Sequence, residues 1–120
     1  MSTSESPARY YNSDKFHFYG QQAMEHMIAL RSLLDAGIEA AAGSDFGPGP
    51  FSPLMAIQAM VTRTGWNGET WGASQKITLD EAIRVNTLNG AYNSREEKDK
   101  GSITMSAKPA PAEYLALIPD

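Results

Sequence analysis

The sequence predicts an α/β fold rich in helix. Three observations carry this reading. Apolar residues recur at helical spacing on both sides of one short apolar run, Ile38 to Ala42, whose length suits a buried parallel strand. Glycine and proline punctuate the chain at Gly37, Gly43 and Gly47-Pro48-Gly49-Pro50, where regular elements must end. No internal repeat and no heptad pattern runs through the chain, which sets aside solenoids and coiled coils.

Residues 1–15 are polar and contain Pro7 and the pair Tyr10-Tyr11, so they are expected to form a loose N-terminal tail. A first helix is predicted from Gln21 to Ala36. Met24, Met27, Ile28, Arg31 and Leu34 fall at helical spacing, and Ala23, Leu30 and Leu33 widen the stripe. Gly37 suits the position just past the helix, because it accepts the left-handed conformation that closes one. The run Ile38 to Ala42 follows as a strand. Ser52 before Pro53 reads as N-cap and first helical residue of a second helix, Leu54 to Thr64. Its stripe is Leu54, Ile57 and Val61, with Ala56 and Met60 beside it.

Gly65 to Lys76 holds three glycines and two tryptophans and is predicted as loop. Thr78 and Glu81 have capping-box spacing and start a third helix through Tyr92. Ser94 and Glu97 repeat that spacing for a short turn, and Glu96 to Lys100 is a solvated charged face. Ser102 to Thr104 and Tyr114 to Ile118 are candidate strands, with Pro109 and Pro111 between them. In this order the strand at Ile38 has no partner in the chain, although a buried strand needs one to satisfy its backbone. It is therefore expected to be short, and unpaired or paired outside a barrel.

Composition narrows the function. Leu, Ile, Val and Phe make up 21 of 120 residues, and Ala another 16. The large apolar share lies below the roughly 20% at which a self-sufficient core becomes doubtful. The helix faces carrying Leu54, Ile57, Val61, Ile83 and Leu88 are thus expected to seek cover by self-association. The chain lacks cysteine, which excludes disulfides and thiolate metal sites and suits a reducing, cytoplasmic setting. No apolar run reaches the roughly 18–20 residues of a membrane span, and the first residues have no signal-peptide pattern. A net charge of −4 and a pI near 5.1 argue against a basic nucleic-acid surface.

Few residues carry chemistry. Gly43-Ser44-Asp45 closes the apolar run, and a carboxylate at the C-terminal end of a parallel strand sits where α/β barrels place their active sites. Asp and Ser also cap helices and shape turns, and the triplet alone does not separate these roles. His17 and His26 are nine apart, not the i, i+4 pair of a helical metal site. There is no H-x-H, no H-E-x-x-H and no G-x-S-x-G. The prolines of Gly47-Pro48-Gly49-Pro50 remove the N–H donors that a phosphate cradle needs. Trp66 and Trp71 either wall a pocket or anchor their loop.

A string of ordered segments narrows this further. Leu33-Leu34-Asp35-Ala36-Gly37-Ile38 leads to Ala42-Gly43-Ser44-Asp45-Phe46. Pro53-Leu54-Met55-Ala56-Ile57-Gln58 and Val61-Thr62-Arg63 follow. Trp71-Gly72, Ile77-Thr78-Leu79-Asp80-Glu81-Ala82, Thr87-Leu88-Asn89-Gly90-Ala91-Tyr92 and Lys100-Gly101-Ser102-Ile103 complete the series. Together they resemble the end of the barrel in metal-dependent amidohydrolases, in the branch of the N-substituted formamide deformylases. The likeness covers residues 16–104.

The resemblance implies the C-terminal portion of a (β/α)8 TIM barrel, incomplete as a barrel, because a whole one takes about 250 residues. It implies hydrolysis of a C–N bond of a small amide substrate by water activated on a divalent metal, zinc, in the complete enzyme. Asp45 is then the acidic residue after the eighth strand, touching the metal and taking the proton of the attacking water. Phe46 and Trp71 stand near the substrate. The family's other ligands lie upstream, so this chain alone is expected to hold no metal and to be inactive. Residues 105–120 form an altered link toward the family's small β-domain. The alternative is a non-catalytic module that binds a partner or associates with itself.

Overall fold

A computed structural model of the chain describes residues 2–4, 13–44, 51–65 and 67–103. Among them the order is β1 (Ser2–Ser4), α1 (Ser13–Met24), α2 (Leu30–Asp35), β2 (Ala41–Gly43), α3 (Pro53–Thr62), a 3₁₀ turn (Ala73–Gln75), α4 (Leu79–Asn86) and α5 (Leu88–Asn93). The described part is a mixed, helix-rich α/β fold in which no barrel closes.

The strand has a partner after all. β1 lies parallel to β2 in the register Ser2 with Ala41, Thr3 with Ala42 and Ser4 with Gly43. The segment read as tail thus supplies β2 with one hydrogen-bonded edge. The strand also starts later than the apolar run suggests. Gly37 adopts φ 73°, its N–H donates to Leu34 O at 2.9 Å, and the Ile38 N–H donates to Leu33 O at 3.0 Å. This pair of bonds is a Schellman closure of α2. It takes Ile38 into the helix terminus, and the ladder begins at Ala41.

The predicted first helix is two. α1 is itself interrupted at Gly20 (φ 77°), and a turn at residues 25–28 with Ile28 at φ 52° separates it from α2. The physical reason is tertiary. The carbonyls of Met24, Met27 and Ile28, which a continuous helix would use internally, accept instead from the guanidinium of Arg63. Of the predicted stripe Met24 is buried, together with Leu30 beside it, whereas Ile28, Arg31 and Leu34 are half-buried and Met27 is exposed.

α3 begins where Ser52 and Pro53 predict, with Ser52 in an extended conformation, but the Ser52 hydroxyl makes no capping bond. Ala56, Ala59 and Met60 form its buried face, Ile57 and Val61 are half-buried beside them, and Leu54 is 77% exposed. The buried face is therefore the small-residue side of the helix, rotated from the predicted Leu54 stripe. The loop after α3 is ordered by an antiparallel bridge between Thr64 and Thr70 and by the 3₁₀ turn.

At α4 the capping box is present in full. Thr78 Oγ1 accepts from the Glu81 N–H at 3.3 Å, and Glu81 Oε2 accepts from the Thr78 N–H at 2.8 Å. Thr87 (φ −126°, ψ −84°) then divides the predicted third helix into α4 and α5. Ser94 is the C-cap of α5, its hydroxyl donating to Ala91 O at 3.0 Å, so its capping-box spacing with Glu97 marks an end and not a start. Ser102 and Ile103 are not in a strand; Thr104 and Tyr114 to Ile118 lie outside the described residues.

The core gathers Leu30, Ala40, Ala56, Met60, Ile77, Ala82 and Val85, with Leu33, Leu34, Ala42, Ile57 and Val61 packed against it. A second, separate cluster is Met24 with Trp71.

Candidate functional site

The candidate site is the C-terminal end of β2. Two devices fix that strand in the fold. One is the ladder to β1. The other is Asn89 of α5, which is 1% exposed and donates through Nδ2 to Ala40 O at 2.8 Å, one residue before the strand. Asn89 Oδ1 is enclosed and meets no hydrogen-bond partner among the described residues. From there the chain runs through Gly43 and Ser44 toward Asp45. Asp45 and Phe46 lie outside the described residues.

Trp71 lies apart from this strand in the second cluster. Its ring is 8% exposed and packs on Met24. It also meets the His17 ring edge to face, with centroids 4.9 Å apart at 86°. Its backbone N–H donates to Arg63 O at 3.0 Å. These contacts are those of a loop anchor. His17 Nε2 lies 3.0 Å from Glu69 Oε2, on the surface. The Asn67 amide, and after it the His17 charge, hold Glu69 below the usual carboxylate range. His26 is exposed, and among the described residues no three His, Asp or Glu side chains gather where a metal ion could be held.

A cavity of about 230 Å³ opens between α2, α4 and α5, lined in part by Arg31, Glu39, Glu81, Arg84 and Asn89. Its charges are matched within the wall. Arg31 reaches Glu81 at 2.8 Å and Asp35 at 2.7 Å, and Arg84 reaches Glu39 at 3.5 Å. The Thr78 backbone N–H, and then Arg31, lower the Glu81 pKa, while Glu81, and then Asp35, raise that of Arg31. The Arg31–Glu81 pair ties α2 to α4.

Sequence reasoning did not single out Asn89 or Arg63. The signal for Asn89 was present, since Ala82, Val85 and Asn89 share the buried face of consecutive helical turns and an amide there needs a specific partner. Arg63 gave no such signal, because it stands at the end of its helix where a basic residue is ordinary.

The described residues set a short parallel strand against helices, and comparison with known proteins makes the class definite. Residues 7–108 match the model of the Amidohydrolase family, so the chain belongs to that family. It is 32% identical over 90 residues, 73% of its length, to N-substituted formamide deformylase of Arthrobacter pascens. It is 33% identical over 87 residues, 70% of its length, to YtcJ of Bacillus subtilis (strain 168), a protein that carries an amidohydrolase name. The matched parts are 17% and 16% of those proteins, so the chain spans about a sixth of the curated relatives it matches. No solved structure matches it.

Proposed function

We propose that the chain forms the C-terminal part of a (β/α)8 barrel hydrolase acting on the C–N bond of a small amide. β2 is the last barrel strand, residues 16–104 are the barrel portion, and residues 105–120 are the link toward a small β-domain. The observation that carries this reading is the continuous family match over residues 7–108, supported by similarity to a relative named as a formamide deformylase. The carboxylate directly after the strand, Asp45, is the residue that exchanges a proton with water and leaving group. Phe46, next in the chain, lines the approach of the substrate, whereas Trp71 serves as the anchor of its loop. The cysteine-free composition supports work in the cytoplasm.

The described residues do not make up a ligand set for a divalent ion. By family resemblance a metal, zinc, takes most of its ligands from outside this chain in the complete enzyme, and the chain alone is expected to be inactive. The reading is tested by grafting. Residues 7–108 replace the matched segment of the Arthrobacter pascens deformylase, and hydrolysis of an N-substituted formamide is measured. An active graft that loses about 10²–10⁴-fold in rate on Asp45→Asn supports the assignment. An active graft indifferent to Asp45→Asn removes Asp45 from the reaction, and a folded but inactive graft counts against the whole reading.

A second reading, a non-catalytic module that associates with itself, is favoured by one observation. Phe51, Leu54, Leu79 and Ile83 are large apolar residues left exposed on or beside α3 and α4.

A further inference from the structure

Arg63 is 1% exposed and ends α3 in the left-handed conformation, at φ 56°. Its Nε donates to Trp71 O at 3.2 Å and Gly72 O at 3.1 Å. Nη1 donates to Ile28 O at 3.3 Å, and Nη2 to Met27 O at 3.1 Å and Met24 O at 3.4 Å. One guanidinium thus gathers carbonyls from two stretches of chain that otherwise belong to different parts of the sequence.

The junction is strained. Ile28, Arg63 and Gly72 all have positive φ, at 52°, 56° and 58°. For a β-branched residue such as Ile28 this is a costly conformation, held only where its surroundings over-determine it. The backbones are also in close approach. A Cβ on Gly72 would stand 2.4 Å from Met24 O and 2.7 Å from Arg63 Nη2.

Away from the junction the same two stretches meet mainly through polar groups. His17 contacts Glu69, Gln21 donates to Thr70 O and accepts from the Gly72 N–H, and Ser74 Oγ donates to Glu25. Among the described residues their buried apolar contact is the small Met24–Trp71 cluster, separate from the main core, with the His17 ring edge to face on Trp71. A polar seam open to water opens at lower free energy than a packed core.

We infer that α1 with its following turn, together with the Trp71 segment, forms a strap that the Arg63 guanidinium holds closed over the end of α3 and that opens as one unit. Opening relaxes the two non-glycine residues held at positive φ, Ile28 and Arg63, and leaves the Leu30–Met60–Val85 core in place.

Hydrogen–deuterium exchange of the full 120-residue chain, read by mass spectrometry, tests this. In the unaltered chain, amides of residues 13–28 and 67–75 exchange together, about ten-fold or more faster than those of α3, α4 and α5. Arg63→Met removes the clamp, and Gly72→Ala wedges the junction from the opposite side. Each speeds both segments by about a further ten-fold while α4 and α5 stay within about two-fold. The two variants perturb different atoms, so a shared pattern is the signature of one opening unit. Uniform exchange along the unaltered chain overturns the proposal. So does a response of one segment without the other, or spread of the effect into α4 and α5 in the milder of the two variants.

Discussion

Asn89 concentrates the chemistry of this fold in one side chain. Its amide N–H holds the Ala40 carbonyl, and its carbonyl oxygen is enclosed without a partner among the described residues. Asn89→Ala leaves the Ala40 carbonyl short of a donor and costs about 1–3 kcal/mol in denaturant unfolding. Asn89→Asp is worse at neutral pH, because an ionised carboxylate cannot donate and is buried against a carbonyl oxygen. Burial raises the carboxyl pKa in the folded state above its unfolded value. The protonated form, which can donate, is then favoured as pH falls, so the deficit of Asn89→Asp shrinks in acid and grows as pH rises through the folded pKa. A deficit independent of pH would remove the amide from this role.

Glu81 runs the opposite way. The Thr78 N–H and Arg31 hold its pKa below 4.5, so its contribution is present above the unfolded pKa and is lost as pH falls through the lower folded one. Glu81→Gln is expected to flatten the acid limb of a stability–pH curve below about pH 5. Thr78→Ala removes the reciprocal cap and costs about 0.5–2 kcal/mol, read from the urea midpoint.

At the level of elements, what was legible followed from local chemistry. Thr78 and Glu81, Pro53 and Gly37 each act within a few residues of chain, and each stands where the sequence places it. The breaks were not legible. The helix stops at Met24 because a side chain 39 positions away takes its carbonyl, and no spacing within residues 21–36 records that. The strand edge was hidden for the same reason, since Ser2–Ser4 carries no strand signal of its own and its partner, Ala41–Gly43, is 39 positions away. Asp45, the proposed proton carrier, was suggested by its place after the strand and by family likeness, and it lies outside the described residues. Glycines separate local from tertiary cost. A Cβ on Gly37 meets nothing within 4 Å, so Gly37→Ala costs only the left-handed conformation, about 1–2 kcal/mol in thermal unfolding. Gly72→Ala adds a backbone collision and is expected to cost more.

Taken whole, the described part buries Leu30, Met60, Ile77 and Val85 among alanines but leaves several other large apolar side chains outside. Leu54 is 77% and Phe51 69% exposed, with Leu79 and Ile83 about half so. Sedimentation across a concentration series is expected to show self-association, which Leu54→Glu and Ile83→Lys together should abolish. A concentration-independent species with a sharp cooperative melt would mark the chain as a domain in its own right. With two histidines, no cysteine and no three-ligand cluster among its described residues, the chain alone is expected to retain no stoichiometric zinc after dialysis. One tightly held ion per chain would force a histidine into the site.

The parallel ladder sets a timetable during synthesis. Ser2 pairs with Ala41, so the two halves of the ladder leave the ribosome 39 residues apart. At about 5–20 residues per second, β1 waits roughly 2–8 seconds for its mate. The Schellman turn at Gly37 is complete once Ile38 has emerged, only a few residues before β2 itself. The nascent chain therefore finishes a helix turn immediately before it is asked to close its longest-range described backbone pairing, while α4 and α5, the helices that β2 packs against, follow only later in the chain.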